Sequence, residues 1–250
     1  MKAIVIAAGE GSRMGNLTQN IPKPLVMVNG KSIIERQISI LKKNGILDII
    51  IITGPHHEKF NFEKIRYIRD KNFLEHDQLG SLISAKKEIN DDLIILFGDI
   101  IFENVVLAKI LESKSDISIA VDMNWARTYT SKPDGSFDKA DKVRFEQENV
   151  SRIFKTMTEA DKKFEIGEFI GLIKLSKNGS KQLVECYEKI QNVHKGKFHD
   201  AISLEKAKLV DILQELIENK IRIDAIPITG EWCEIDTEED LEIAKKKFVG

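Results

Sequence analysis

The sequence lacks most of what a secreted or membrane-embedded scaffold needs. Its 250 residues hold two cysteines, Cys186 and Cys233, too few for a disulfide framework and in keeping with a reducing cytoplasm. The apolar run near the start, Ala3 to Ala8, is too short for a signal-peptide core or a membrane span. No charge of one sign predominates. The 38 Lys+Arg against 40 Asp+Glu leave a net charge of -2, which argues against a general nucleic-acid binder but allows a local basic site. Proline is scarce at five residues, and no repeat, low-complexity tract or flexible linker interrupts the chain. Hydrophobic residues at 42% suffice for a core, so disorder is excluded as the main state. The Asn-x-Ser/Thr triplets at Asn16, Asn149 and Asn178 read as chance.

What is present is alternation. Ala3–Ala8, Asp48–Thr53, Ile65–Ile68, Leu93–Phe97 and Ile117–Val121 are short apolar runs that read as buried strands. Ser32–Lys43, Gln78–Ile89 and Val105–Leu111 between them carry helical spacing. Strands buried on both faces and joined by helices predict an α/β fold, a doubly wound, mostly parallel Rossmann-like sheet. From about 123 to 165 the texture changes, with more charge, a turn at Pro133-Asp134-Gly135 and β patterns at Lys142–Phe145 and Val150–Phe154. This segment reads as a small β-rich insertion or lid within one catalytic domain, 1–250. Further on come a strand at Phe169–Leu175, helices at Ser180–Gln191 and Leu209–Glu218, a strand at Arg222–Pro227 and a last helix, Glu238–Lys247, capped by Asp236 or Thr237.

The first strand runs into Ala7-Ala8-Gly9-Glu10-Gly11-Ser12-Arg13-Met14-Gly15. Such a loop is either a plain turn or a phosphate cradle of backbone N–H groups. Two rival phosphate loops fail. A dinucleotide fingerprint needs glycine where Met14 stands, and a Walker loop needs glycine where Leu25 stands. Pro22 and Pro24 flank Lys23 and restrict where its ammonium points. A fixed lysine and arginine beside a phosphate cradle suit a triphosphate that loses pyrophosphate.

Ala7-Ala-Gly-x-Gly-Ser-Arg-Met, Leu17-Thr18 and Pro22-Lys-Pro-Leu-Val-x-Val-Asn-Gly-Lys31 together resemble the signature of nucleotidyltransferases that act on sugar 1-phosphates and small phospho-alcohols. Gly15-Asn16 departs from the apolar residue and proline common in sugar-activating members. Phe97-Gly-Asp-Ile-Ile-Phe102, Val121-Asp-Met-Asn-Trp125, Gly167-Glu-Phe-Ile-Gly171 and Gly230-Glu-Trp-x-Glu-Ile-Asp236 are most similar to cytidylyltransferases that activate phosphocholine or 2-aminoethylphosphonate.

The resemblance implies Mg²⁺-dependent transfer of CMP from CTP to a small phosphonate or phospho-amino-alcohol. A sugar-1-phosphate nucleotidyltransferase is the alternative, and a catalytically dead nucleotide-sensing subunit a third reading. It implies that Asp99 and Asp236 meet and hold Mg²⁺, with a helix N-cap as the other role for Asp236. Arg13 and Lys23 are assigned to the triphosphate and Lys155 to the acceptor phosphate. Ala7, Ala8, Gly9, Gly11, Ser12, Gln78, Gly80 and Ser81 are expected around the nucleotide. For the acceptor, Trp125, Tyr129 and Trp232 suggest an aromatic cage for a quaternary amine, while Asp122, Glu168 and Asp200 suggest carboxylates for a primary amine. Both stay open. A homodimer is compatible with the sequence.

Overall fold

The computed structural model describes residues 1–130 and 139–249, with the side chains at 128–130 and 162 outside the description. β1 (Lys2–Ala7) leads into the glycine-rich loop, whose 3-10 turn spans Ser12–Leu17. A small hairpin, β2 (Met27–Val28) and β3 (Lys31–Ser32), precedes α1 (Ile33–Lys43). Then come β4 (Asp48–Thr53), β5 (Arg66–Arg69), α2 (Gln78–Ser84), β6 (Leu93–Phe97), β7 (Ile100–Phe102), α3 (Asn104–Leu111) and β8 (Ile117–Asp122). α4 (Trp125–Thr130), β9 (Lys142–Glu146), β10 (Asn149–Phe154) and the long β11 (Glu165–Leu175) follow. α5 (Lys177–Val193), α6 (Leu209–Glu218), β12 (Asp224–Pro227), β13 (Trp232–Glu234) and α7 (Glu238–Lys247) come last.

Nine strands form one sheet in the order β5-β4-β1-β6-β11-β8-β12-β10-β9. β5, β4, β1 and β6 are parallel, as are β8 and β12, while β11 and β10 run against their neighbours. The expected doubly wound, mostly parallel direction is therefore present. Ile4 faces Ile50 on one side and Ile95 on the other, and all three are fully buried. This explains why these strands read as continuous apolar runs. Ser32 caps α1 by accepting from Glu35 N, while Glu35 accepts from Ser32 N at 2.6 Å.

The segment 123–165 supplies β9 and β10, which pair with each other and extend the main sheet through β11 and β12. The turn expected at 133–135 lies outside the described residues. The helix expected over Gln78–Ile89 is shorter. α2 stops at Ser84, and a 3-10 turn at Lys86–Glu88 brings Ile89 into the core. Sequence pattern missed the two-stranded ribbon of β7 and β13, the hairpin of β2 and β3, and α4. Among the described residues, no helix is long and apolar enough to cross a membrane.

An ion network ties the first strands together outside the site. Arg66 donates to Asp48 at 2.9 Å and to Glu88 at 2.8 Å, and Lys2 Nζ donates to Glu88 at 3.2 Å. The Arg66 hydrogen bonds, with those of Lys2, hold the Glu88 carboxyl down at about 2. A depressed folded-state pKa stabilises fully above the ordinary carboxylate range, and the benefit disappears as pH falls through the folded value. Glu88→Gln should therefore lower the urea midpoint at neutral pH and flatten its decline between about pH 4.5 and about pH 2. Parallel decline in both proteins would remove Glu88 from acid sensitivity.

Candidate active site

The site forms where β1 and β6 end, at the carboxyl edge at which open α/β sheets bind ligands. Gly11, at φ 67°, turns the loop back, and a Cβ there would lie 3.1 Å from the Cβ of Lys23. Close approach of loop and lysine thus requires glycine. Met14, beside Arg13, is buried in a second small core with Val26, Ile33, Ile101, Ile235 and Leu241. This core anchors the loop, the ribbon and α7 to one another.

The ribbon decides the acidic centre. Glu234 pairs with Ile100 and Cys233 with Ile101, and Ile235 N donates to Asp99 O at 3.0 Å. Asp236 is thereby carried to Asp99. On the other side, buried Gln37 of α1 donates to the carbonyls of Phe97 at 2.8 Å and Ile100 at 2.7 Å, clamping the turn that carries Asp99. Lys23 Nζ donates to Asp99 Oδ2 at 2.8 Å and also to Asp236 Oδ1, and Arg13 pairs with Asp236 Oδ2 at 2.6 Å. Desolvation works against the Lys23 ammonium, but the two carboxylates outweigh it and its pKa is raised.

Oxygens of Asp99, Glu234 and Asp236 lie within 4.8 Å of one another. Asp99 Oδ1 is buried with no hydrogen-bond partner among the described residues. Three hard oxygen donors with an uncommitted buried atom fit a divalent cation. Desolvation of the Glu234 carboxyl in the cleft, with Asp99 and Asp236 close by and Lys23 opposing, raises its pKa.

Two cavities meet at this centre. The first, about 280 Å³, is lined by the loop from Ile6 to Arg13 and by Lys23, Gln78, Ser81, Asp99 and Asp236. The second, about 350 Å³, is lined by Lys155, Lys208, Glu168, Trp232 and Glu234 as well as Asp99 and Asp236. Arg13, Gln78 and Phe97 also line both. One cavity is thus bordered by the glycine-rich loop with Arg13 and Lys23, and the other by Lys155 and Lys208 among several carboxylates.

Residues 3–130 match the model of the MobA-like NTP transferase domain, which covers just over half of the chain. The chain belongs to that family. It is a nucleotidyltransferase. Along its whole length this NTP transferase is similar to the CTP:phosphoglutamine cytidylyltransferase of Campylobacter jejuni, 28% identical over 261 residues that cover 99% of this chain and 100% of that protein. It is 39% identical over 109 residues to the choline-phosphate cytidylyltransferase of Streptococcus pneumoniae, a match covering 42% of this chain and 48% of that protein. The fold is that of the solved CTP:phosphocholine cytidylyltransferase from Streptococcus pneumoniae, with a TM-score of 0.74, 22% identity and coverage of 98% and 97%. An inositol-1-phosphate CTP transferase from T. maritima shares it at a TM-score of 0.71 and 18% identity, covering 100% of this chain and 97% of that one.

Most residues expected at the site of the transferase are brought together. Ala7, Ala8, Gly9, Gly11, Ser12, Gln78 and Ser81 line the first cavity with Arg13 and Lys23. Ser81 Oγ donates to buried Asp70 at 2.8 Å, so its hydroxyl is already oriented, and Gln78 Oε1 accepts from Leu209 N at 3.2 Å. Gly80 is a correction. It does not line the cavity, and a Cβ there would lie 2.7 Å from the Glu205 carbonyl oxygen and from the His76 ring, so packing sets its size.

Lys155 lines the second cavity beside Asp141, at 3.3 Å. Desolvation opposes the Lys155 charge, and Asp141 more than offsets this, so its pKa is raised. Glu168 and Trp232 line the same cavity, and the Trp232 indole N–H donates to Asp122 at 2.9 Å. Asp122 therefore acts on the cavity through Trp232. Asp200 lines an adjoining chamber. Trp125 is the second correction. Its ring is buried, its indole N–H donates to Ile166 O at 3.1 Å, and the Lys142 ammonium sits 5.3 Å from the ring centroid. That face is taken by a lysine of the chain itself. The side chain of Tyr129 lies outside the described residues.

Several cavity residues escaped sequence reasoning. Glu234 had a signal, because alternation along Trp232, Glu234 and Asp236 puts the three on one side of an extended chain. Asp70 and His76, paired at 2.9 Å beside the first cavity, had none. Neither had Gln37 or Lys208.

Proposed function

We propose that this chain transfers CMP from CTP to a phosphate or phosphonate oxygen of a small amine- or amide-bearing acceptor and releases pyrophosphate. The observation that carries this reading is the meeting of two cavities at Arg13, Asp99 and Asp236. CTP as donor is supported by likeness to relatives named for CTP with phosphoglutamine and for choline phosphate. An acceptor oxygen forms a bond to the α-phosphorus, and the bond to the bridging oxygen of the β-phosphate breaks. The electron pair leaves with pyrophosphate. A phosphate dianion is already nucleophilic at neutral pH, so no protein base is assigned.

The residues have distinct tasks in this reading. Ala7, Ala8, Gly9, Gly11 and Ser12 cradle the nucleotide, and Gln78 and Ser81 face its base. Lys23 and Arg13 exchange their carboxylate partners for phosphate oxygens when the triphosphate enters. Lys155 holds the acceptor phosphoryl group. Asp99 and Asp236, with Glu234, would hold Mg²⁺, which when bound neutralises phosphate charge and polarises the α-phosphoryl group. Residues 1–250 act as one catalytic unit, with 123–165 forming the acceptor side.

Pyrophosphate release over a donor and acceptor panel tests this. CTP, UTP, dTTP and ATP are each paired with phosphocholine, 2-aminoethylphosphonate, phosphoglutamine and glucose 1-phosphate. CTP with a phosphorylated or phosphonylated amine or amide is expected to lead by at least about tenfold in kcat/KM. Preference for glucose 1-phosphate with UTP or dTTP would replace the reading with a sugar nucleotidyltransferase.

A further inference from the structure

Part of the first cavity's wall comes from α2 and the residues just before it, His76, Asp77, Gln78 and Ser81. Two polar side chains in this wall have their hydrogen-bonding direction fixed from behind. Ser81 Oγ lies 2.8 Å from Asp70 Oδ2, and a carboxylate oxygen can only accept. The hydroxyl hydrogen is therefore spent on Asp70, and the oxygen keeps only lone pairs for a ligand. Gln78 Oε1 lies 3.2 Å from Leu209 N, and a backbone N–H can only donate. The amide orientation is thus forced, and Gln78 keeps its Nε2 hydrogens for a ligand.

The groups behind this pair are themselves held. Asp70 is 1% exposed and follows β5, and its N–H donates to Thr53 O at 2.8 Å. Its Oδ1 accepts from Asn72 N at 3.0 Å, and His76 Nδ1 lies 2.9 Å from each carboxylate oxygen. His76 is in turn pressed against Gly80, where a Cβ would come within 2.7 Å of its ring. Leu209 opens α6, and the stretch before it is tied to α2. Asp77 N donates to Glu205 O at 2.9 Å, and Leu79 N donates to Ala207 O at 3.0 Å. Neither Ser81 nor Gln78 can reverse its polarity without losing one of these bonds.

The pair therefore presents one acceptor and one donor. Cytosine has an amino donor at C4 beside acceptors at N3 and O2. Uracil and thymine have an acceptor at O4 beside a donor at N3. The first pattern complements Ser81 and Gln78, and the second opposes both.

We infer that Asp70 sets the choice of base. It holds the Ser81 hydroxyl as an acceptor while α6 holds Gln78 as a donor, so the site takes the 4-amino edge and rejects the 4-oxo edge. Asp70 is a positioning residue, because it stands behind Ser81 and does not line the cavity. A base with the opposite pattern sets donor against donor and acceptor against acceptor, which costs more than one missing hydrogen bond. This inference rests on the proposed reading, which places the base at Gln78 and Ser81.

Three triphosphates test it on the full chain: CTP, UTP and that of pyrimidin-2-one riboside, which is cytidine without its amino group. Each is measured by calorimetric binding and by kcat/KM for pyrophosphate release with the leading acceptor of the panel above. CTP is expected to exceed UTP by at least about 10²-fold, with the pyrimidinone between them because it keeps N3 and O2. Asp70→Asn keeps an oxygen for Asn72 N and puts an amide donor where Oδ2 stood. Ser81 then accepts from that amide, and its hydroxyl hydrogen is free for O4. This variant should bind UTP at least about fivefold more tightly than wild type, while CTP weakens. Loss of both nucleotides in equal proportion would make Asp70 merely structural and overturn the inference. Should Asp70→Asn melt below the assay temperature, Ser81→Ala decides. It should bring CTP and the pyrimidinone to within about twofold, and an unchanged ratio overturns the inference. UTP binding wild type as tightly as CTP overturns it too, while leaving nucleotidyl transfer intact. Preference for CTP in binding with no pyrophosphate released supports the fixed polarity and defeats the transfer reading.

Discussion

Lys23→Met is expected to lower kcat for pyrophosphate release by about 10²- to 10³-fold, the range seen when one preorganised donor to a developing charge is removed. The methionine keeps the length and apolar stem and deletes only the ammonium. That ammonium is the cation on which the site converges, with Asp99 at 2.8 Å and Asp236 on its other side. The lysine is 8% exposed and flanked by two prolines, and Arg13 reaches only Asp236, not Asp99, among the described ion pairs. Its removal also leaves Asp99, Asp236 and Glu234 close together without the central positive charge. The variant should therefore melt below wild type at neutral pH, by less than the loss of a fully buried partner would cost, because water reaches the cleft. Lys23→Arg separates charge from geometry. It should restore most of the melting temperature and little of the turnover, since a guanidinium fork cannot occupy the point position of an ammonium. Steady-state kinetics and thermal melts on both variants check this. Turnover of Lys23→Met within threefold of wild type would remove the lysine from the chemistry.

Asp99→Asn should be as damaging for a different reason. The exchange is nearly isosteric, and the backbone carbonyl of Asp99 still accepts from Ile235 N at 3.0 Å. The turn clamped by Gln37 is also untouched. Fold and melting temperature should thus be nearly preserved. What disappears is the negative charge and one of the two oxygens, so the side chain can no longer both accept from Lys23 and offer a buried oxygen to a cation. Loss of a cation-binding carboxylate at several kcal/mol corresponds to about 10²- to 10⁴-fold in rate. The Mg²⁺ concentration for half-maximal rate should rise at the same time. A variant that melts normally, turns over slowly and needs more Mg²⁺ shows Asp99 to be a ligand. Normal turnover with an unchanged Mg²⁺ requirement would show that the acidic pair only anchors Lys23.

Local pattern carried far in this molecule. Apolar runs buried on both faces give strands, and amphipathic stretches with caps such as Ser32 give helices. Both are interactions within a few residues, readable from one short window. α6 and α7 begin and end where spacing places them. The loop, Arg13 and Lys23 were readable for the same reason, because their glycines and prolines restrict the backbone locally. The acceptor side was less so. Trp125 looked available because its type is informative and its direction is not. Only the neighbouring strand, which brings Lys142 over the ring, decides which way it faces.

By itself, then, the sequence determined the α/β class, the main strands and helices and the glycine-rich loop, through backbone preference and hydrophobic periodicity acting over short range. The tertiary structure alone decided the centre. Lys23 and Asp236 are 213 positions apart, and no periodicity links them. They meet because β13 pairs with β7 in one register and because a small core of Met14, Ile101 and Ile235 locks loop, ribbon and last helix together. Long-range strand register and side-chain packing depend on the whole chain being folded. For that reason Glu234, Gln37 and Lys208 became visible as parts of the site only in three dimensions.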